Sequence, residues 1–484
     1  MAPATNAPAT ATSSKKKIDI VAEAAKRPSR LNLVIVGHVD AGKSTLTGHL
    51  LVQLGEVDTR TMHGYTRDSA KQGKSSFAFA WVMDQGAEER ARGVTIDVGV
   101  HHLATPSGNR VYTLLDAPGH RDFIPNMISG AAQADVAVLV VDAVHGEFEA
   151  GLDGGGQARE HLLLVKSLGI PRVVVAVNKM DSAGVQWSED RYNTIKGALE
   201  SLLASIGYNV AKHVAFVPTS GLSGVNLTKR VDPAVCPWYK DQPSLMEILD
   251  TLPVPPRPIA KPLRMLVSDY AKGGASSGSV SVWGRIETGG VQVGDVVLLM
   301  PLGEEATVRA LEVNDEMVKW AAAGDHVMAS LAGPDPQQMS TGLVVSDKLQ
   351  PVLVTNRVEA KILVFEPKVP ITLGYPVILH QGALNEPAVI TKLHAVLDKT
   401  DGHVIKKNPR VLTKGMTALV EVATDRPVCL EPFADSKEFG RFLLRKGGET
   451  LAAGIVSKVM ATYQPAAMRT GLESRSSSGW SLVE

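Results

Sequence analysis

The stretch Gly37-His38-Val39-Asp40-Ala41-Gly42-Lys43-Ser44 constrains this chain more than any other. It fits the eight-position pattern of a phosphate-binding loop. It also follows an aliphatic run, residues 31–36, and precedes a segment in which Leu46, Leu50 and Leu54 recur at helical spacing. A strand, a glycine turn and a helix in that order aim successive backbone N–H groups at one point by the helix N-terminus, where a phosphate is favoured. Gly37 and Gly42 permit the turn, Lys43 reaches the β and γ oxygens, and the Ser44 hydroxyl can ligate Mg²⁺. His38, Val39, Asp40, Ala41 and Thr45 complete the residues expected around the phosphates.

The alternation continues downstream. Residues 111–115, 136–141, 173–177 and 214–217 read as strands, and residues 157–168 and 192–206 as helices. Continuous aliphatic strands alternating with helices predict a parallel sheet covered on both faces. After Leu249 the prolines 253, 255, 256, 258 and 262 form a linker, beyond which short alternating strands and glycine turns replace helical periodicity. Two β modules fit, at residues 259–350 and 351–463, after a nucleotide-binding domain at 29–258. Residues 1–28 read as a flexible basic tail, and residues 464–484 as a disordered one.

Composition removes several alternatives. With 44% hydrophobic and 21% charged residues and a formal net charge of zero, the chain lies among globular proteins. The longest aliphatic run, residues 136–141, has six residues, where a membrane-spanning helix needs roughly 20. No apolar stretch follows Lys15, Lys16 and Lys17 to act as a signal-peptide core, so a cytoplasmic chain is expected. Cys236 and Cys429 stand far apart, without the spacing of a zinc site. Charge is unevenly spread: residues 1–30 carry +4, residues 31–350 carry −8 and residues 351–463 carry +4.

A phosphate loop alone does not separate ATP from GTP. Asn178-Lys179-Met180-Asp181 directly follows the strand at 173–177, at the sheet edge where such folds bind ligands. A carboxylate at Asp181 can accept both N1–H and N2–H₂ of guanine, and adenine offers no such donor pair. Ser220-Gly221-Leu222 supplies a second loop under the base. Asp116-Ala117-Pro118-Gly119 ends another strand, which puts a carboxylate beside the water shell of Mg²⁺ and the Gly119 N–H near the γ-phosphate. His120 follows at the place where a side chain must orient the attacking water, and Thr95 is the best candidate for a loop hydroxyl that closes on Mg²⁺. The expected catalytic set is therefore His120, Thr95 and Lys43, and the metal set Ser44, Thr95 and, through water, Asp116. His101 and His102 read as exposed strand residues, Gly154 to Gly156 as a flexible turn, and Glu88, Glu89, Arg90 and Arg92 as a solvated helix face or part of a mobile switch.

Together these residues resemble translational GTPases over residues 28–461. GHVDAGKS, DAPGH (Asp116 to His120) and NKMD form the set of the elongation factor 1-alpha and class II release-factor branch. SFAFAWVMD (Ser76 to Asp84), PTSGLSGVNL (Pro218 to Leu227) and FGRFLLRKGGETLAAGIV (Phe439 to Val456) most resemble the HBS-type ribosome-rescue GTPase, the partner of Pelota. The resemblance implies a GTPase domain followed by two β-barrels, GTP and Mg²⁺ as ligands, and GTP hydrolysis triggered by large-subunit RNA. It also implies delivery of a Pelota-like protein to stalled ribosomes, by a monomer or a heterodimer with its cargo that touches both ribosomal subunits.

In the family Val39 and Val94 match an apolar gate near His120, and Asp40 helps hold a monovalent cation. The barrels, including Gly284-Arg285-Ile286-Glu287 and Gly440-Arg441-Phe442, are expected to hold the partner. Ala91 departs from the usual glutamate, and contacts made elsewhere by a long N-terminal extension are expected to be absent or to fall to the short basic segment. Alternatives of the same chemistry are an aminoacyl-tRNA carrier and a termination GTPase carrying a release factor; a third is a GTP-binding scaffold that does not hydrolyse. Residues 259–350 carry seven basic and eleven acidic residues, which favours protein over RNA cargo.

Overall fold

Strands that are aliphatic at every position can be buried on both faces only inside a helix-covered sheet. The structure, a computed structural model, builds such a sheet. It describes residues 17–71, 73, 77–83, 86–92, 95–105, 110–152, 157–273, 279–399, 401–460, 462–465 and 480–483. The sheet contains β1 (Ser29–Gly37), β2 (Gly99–Ala104), β3 (Arg110–Asp116), β4 (Val136–Asp142), β5 (Arg172–Asn178) and β6 (Val214–Pro218). Their order is β2-β3-β1-β4-β5-β6, all parallel except β2, which pairs antiparallel with β3. Every residue of β4 is buried. Leu46, Leu50 and Leu51, Met127 and Ile128, Leu162 and Val165, and Ile195, Leu199 and Leu203 bring four helices onto this core.

The helix expected at 192–206 spans Glu189–Ile206, because the Ser188 side chain accepts from the Arg191 N–H and caps it three residues earlier. It stops at Gly207, whose φ of 95° is readily adopted only by glycine. The parallel register sets Gly37, Asp116, Asn178 and Pro218, the last residues of β1, β3, β5 and β6, along one end of the sheet.

Two barrels follow. In the first, Arg264–Lys272 pairs with Ser279–Thr288, which pairs with His326–Ala332, which pairs with Glu304–Val313. Val296–Met300 joins Glu304–Val313 to Val344–Asp347, and the latter returns to Arg264–Lys272, closing six strands. In the second, Tyr375–Gln381 pairs with both Arg441–Lys446 and Leu384–Leu397 and closes another six-stranded ring. Closure leaves no free sheet edge in either ring. No helix of the described residues is long and apolar enough to cross a membrane.

One buried carboxylate joins the first barrel and the linker to the domain of the parallel sheet. Asp135 accepts from the Asn32 N–H at 2.9 Å, from Arg257 at 2.6 and 2.8 Å and from Arg285 at 2.8 Å. Burial opposes its charge, and the two guanidiniums outweigh that, so the carboxyl titrates below its ordinary range. A lowered folded value means that its contribution to stability is complete above about pH 4 and is lost as the pH falls through the folded pKa. Asp135→Ala leaves two arginines facing an apolar gap, and chemical denaturation at pH 7 is expected to show a loss of about 3–5 kcal/mol. A loss below about 1 kcal/mol would contradict the clamp.

Three expectations are corrected. Residues 17–28 are not a flexible tail: a helix, Ile20–Ala24, capped by Asp19, lies on the first barrel. Arg27 stacks 3.4 Å above the Trp320 ring, and Arg27 and Arg30 both pair with Asp325. Aromatic stacking and a shared carboxylate across the fold cannot be read from local composition. At the other end, Thr462–Pro465 pairs with Trp480–Val483, so the last segment contains a strand; residues 466–479 lie outside the described residues. Nor do the two stretches expected to hold a partner offer themselves to one. Arg285 is turned inward onto Asp135, Ile286 and Phe442 are core residues, and Arg441 reaches the Leu168 carbonyl of the first domain.

Candidate functional site

The strand ends converge on a cavity of about 570 Å³. Val39, Asp40, Gly42, Lys43, Ser44, Thr45, Thr95, Gly119, His120, Asn178, Lys179, Asp181, Ser220 and Leu222 line it. Gly37, His38, Ala41, Asp116 and Gly221 are not among the residues that line it.

The loop conformation explains the glycines. Gly37 has φ 153°, and a Cβ there would come within 2.2 Å of the Val140 carbonyl oxygen. Gly42 has φ 87°, and its Cβ would meet the Asn178 amide at 2.6 Å. That amide carries the architecture of the site. It donates to the Ala41 carbonyl at 2.9 Å and accepts from the Gly221 N–H at 2.7 Å, tying the phosphate loop, the Asn-Lys-Met-Asp turn and the Ser220 loop together. Gly42→Ala adds about 1–2 kcal/mol of left-handed strain and displaces this amide. Nucleotide affinity by equilibrium titration is expected to fall at least roughly tenfold, and an unchanged affinity would contradict the assignment.

Lys43 is buried and donates to the His38 carbonyl at 2.9 Å, which holds its ammonium over the loop. His161, directly behind, is pushed down to about 3 by burial and by Lys43, so it is neutral and adds no competing charge. Lys179, in the left-handed region at φ 60°, pairs with Asp142 at 2.6 Å. Asp181 is exposed to the cavity mouth. The Ser44 and Thr95 hydroxyls lie 3.1 Å apart.

Asp116 is fully buried, and neither carboxylate oxygen has a hydrogen-bond partner among the described residues. Burial pushes it up to about 6, against the opposing effects of Ser44 and Lys43. A buried carboxylate beside the Ser44 hydroxyl, which in turn lies 3.1 Å from that of Thr95, makes an all-oxygen donor set, which suits the hard cation Mg²⁺. The residues therefore fit the metal that the phosphate loop implies.

His120 caps a short turn: its Nδ1 accepts from the Asp122 N–H at 3.2 Å. In the neutral ring the proton is then on Nε2, the nitrogen left to serve a ligand. Val39 lies on the same cavity wall; Val94, its expected companion, lies outside the described residues, as do Gly154 to Gly156.

Other residues enter only through the fold. Glu89, read as part of a solvated face or a switch, accepts from the Ile96 and Asp97 N–H groups at 2.9 and 3.2 Å and so fixes the backbone just after Thr95. Phe77, Ala80 and Ser182 also line the cavity. His49 stacks on Phe79 and bonds the Gly221 carbonyl at 2.8 Å. Phe77, Phe79 and Ala80 fall within the stretch Ser76 to Asp84 quoted for the family likeness, but no local pattern assigns any of these residues to the cavity. His101 and His102 are half-buried rather than exposed, and burial pushes His102 down to about 4.

A phosphate loop at the end of a parallel sheet, with two β-barrels behind it, is the architecture of a P-loop GTPase. Comparison with known proteins narrows the class. The elongation factor Tu GTP binding domain family matches residues 28–255, and the GTP-eEF1A C-terminal domain-like family matches residues 357–457. Elongation factor 1-alpha of Staphylothermus marinus is 41% identical over 89% of the chain and 96% of its own length. Protein HBS1 of Drosophila melanogaster is 48% identical over 90% of the chain, which spans 64% of that relative's length. The GTPase-like domain of Ski7 from S. cerevisiae superposes with a TM-score of 0.77 over 91% of this chain and 100% of its own, at 20% identity, a likeness of fold. The chain belongs to the translational GTPase family of elongation factors Tu and 1-alpha, and it is a GTP-hydrolysing enzyme.

Proposed function

We propose that this enzyme, carrying GTP and Mg²⁺ in the cytoplasm, delivers a Pelota-like, release-factor-shaped protein to stalled ribosomes and hydrolyses GTP there. The observation that carries the choice of cargo is the charge of the first barrel region, eleven acidic against seven basic residues at 259–350. An RNA cargo calls for a basic surface to neutralise its phosphates, and here the balance has the opposite sign. The greater identity to HBS1 than to elongation factor 1-alpha points the same way.

In this reading the N–H groups of residues 40–45 surround the β-phosphate, and the Lys43 ammonium neutralises the β and γ oxygens. Asp181 accepts from N1–H and N2–H₂ of guanine. Asn178 holds the loops that frame the base, and Ser220, Gly221 and Leu222 lie beneath it. Ser44 and Thr95, with Asp116 through water, would hold Mg²⁺, which screens the phosphate charge when bound. Gly119 offers its N–H to the γ-phosphate. His120, with Nδ1 occupied by the Asp122 N–H, positions the attacking water through Nε2 beside the apolar Val39. Aligning water against a charge-stabilised γ-phosphate is the task of such a site, since phosphoryl transfer demands mainly positioning.

Binding distinguishes the cargo. The GTP-loaded protein is expected to bind a purified Pelota-like protein in calorimetry and to leave aminoacyl-tRNA and a termination release factor unbound. The reverse preference would overturn the cargo assignment and leave the enzyme class intact.

A further inference from the structure

Two apolar surfaces face the nucleotide cavity besides the polar groups that suit phosphates, metal and base. Leu222, on the loop under the base, is 55% exposed. Phe77, half-buried, reaches the same cavity from the segment 77–83, which also brings Ala80 to the wall. Apolar surface left in a water-filled cavity is unfavourable until the carbon face of a ligand covers it. With the phosphates on the glycine loop and the base at Asp181, the part of the nucleotide still without a wall is the sugar between them.

The segment that carries Phe77 is fixed on several sides. Ala78, Ala80, Trp81, Val82 and Met83 are buried, and the last two belong to the core of the parallel sheet. The helix that follows the phosphate loop, Lys43–Leu54, comes so close that a Cβ at Gly48 would lie 2.0 Å from the Phe79 carbonyl oxygen. The Phe79 ring stacks on His49 of that helix, with centroids 4.0 Å apart and planes at 6°. The His49 ring in turn donates from Nδ1 to the Gly221 carbonyl at 2.8 Å. Phe79 is two residues from Phe77, and Gly221 adjoins Leu222. One imidazole therefore ties together the two stretches of backbone that carry the apolar surfaces.

We infer that Phe77 is a nucleoside-binding residue whose ring packs on the ribose of the guanine nucleotide, and that His49 is the positioning residue that holds Phe77 and Leu222 around it. The inference rests on the orientation proposed for the nucleotide, with its base at Asp181. A contact with the sugar is the same before, during and after hydrolysis, and an interaction that stabilises all three equally changes binding and leaves the chemical step alone. Phe77 therefore sets how long the nucleotide stays, for GTP and GDP alike.

The test measures release of radiolabelled GDP and of a non-hydrolysable GTP analogue from the full chain, chased with unlabelled nucleotide in the absence of ribosomes. Phe77→Ala is expected to release both roughly tenfold faster, the scale of a lost aromatic contact. A guanine diphosphate with an acyclic sugar lacks the ring face, so its affinity is expected to differ by less than about twofold between Phe77→Ala and wild type. GDP release from Phe77→Ala at the wild-type rate, or an equal loss with the acyclic compound, overturns the inference. Phe77→Trp keeps a flat ring; it is expected to retain slow release and to add a GDP-dependent fluorescence change to that of the wild-type tryptophans. Absence of that added change also overturns the contact.

His49→Asn keeps a donor toward Gly221 and loses the stacked ring. It is expected to speed release severalfold on its own and to add nothing in the Phe77→Ala background, because it acts through Phe77; additive effects overturn the positioning role. Asp181→Asn separates the inference from the orientation on which it rests. A changed base preference in Asp181→Asn together with wild-type release from Phe77→Ala rejects the Phe77 contact alone. An unchanged base preference together with fast, sugar-dependent release from Phe77→Ala rejects the base assignment and supports the contact.

Discussion

Replacing His120 by alanine is expected to leave GTP affinity within about twofold while lowering ribosome-stimulated turnover on the order of 10³-fold, the range of a side chain that orients or relays a proton in the reaction. The split between binding and turnover follows from position. His120 lies on the cavity wall beside Val39 and Gly119, and the groups proposed to hold the phosphates, Lys43 and the loop N–H groups, do not depend on it. The tautomer sharpens the expectation. Because Nδ1 accepts from the Asp122 N–H, a glutamine, which can also donate at the far end, is expected to recover part of the rate. Single-turnover hydrolysis on ribosomes measures this. Undiminished stimulated turnover in His120→Ala removes the residue from the mechanism.

The second large effect concerns the base. Asp181→Asn exchanges a carboxylate that accepts twice for an amide that accepts once and donates once, and guanine then faces a donor where it needs an acceptor. GTP affinity is expected to fall roughly 10²-fold or more. Xanthosine triphosphate, which carries an oxygen in place of N2–H₂, is expected to gain by a comparable factor. Competition binding of the two nucleotides reads the ratio directly, and an unchanged preference for GTP would reject Asp181 as the reader of the base. Asn178 differs in kind from Asp181. Its amide is spent on Ala41 and Gly221, so its substitution should loosen all three loops without redirecting the choice of base.

The GTPase domain was legible because its signals are local. The glycines of the phosphate loop answer to left-handed backbone at Gly42 and to the close approach of Val140 at Gly37. The strands at 136–141 and 173–177 announce themselves by uninterrupted aliphatic residues, and the structure buries β4 at every position. What stayed hidden depends on partners distant in sequence. Arg27 gives no local sign that it will stack on Trp320, nor Arg285 that it will end on Asp135, 150 residues away. Glu89 looks like any helix-surface glutamate until the backbone of Ile96 and Asp97 folds back onto it.

The same reason lies behind the misplaced partner surface. Gly440-Arg441-Phe442 is distinctive in sequence, and the structure uses it for packing: Arg441 lies against the Leu168–Gly169 turn, and Phe442 presses on Gly454. A distinctive motif therefore does not by itself mark an outward-facing surface.

The arrangement of the acidic residues was half visible. The excess of acidic residues at 259–350 is plain in the sequence, but the placing of Asp269, Glu312 and Asp315 near Asp97 exists only once the barrel docks on the GTPase domain through Arg257, Arg285 and Asp135. That docking also ties stability to function: loosening the Asp135 clamp should weaken any ligand held between the two domains.

The most direct test of the central claim is GTP turnover by the purified protein on stalled ribosomes, with and without a Pelota-like protein, and with aminoacyl-tRNA or a release factor in its place. The account predicts full stimulation only when stalled ribosomes and the Pelota-like protein are present together. Full stimulation with aminoacyl-tRNA or a release factor instead would contradict it.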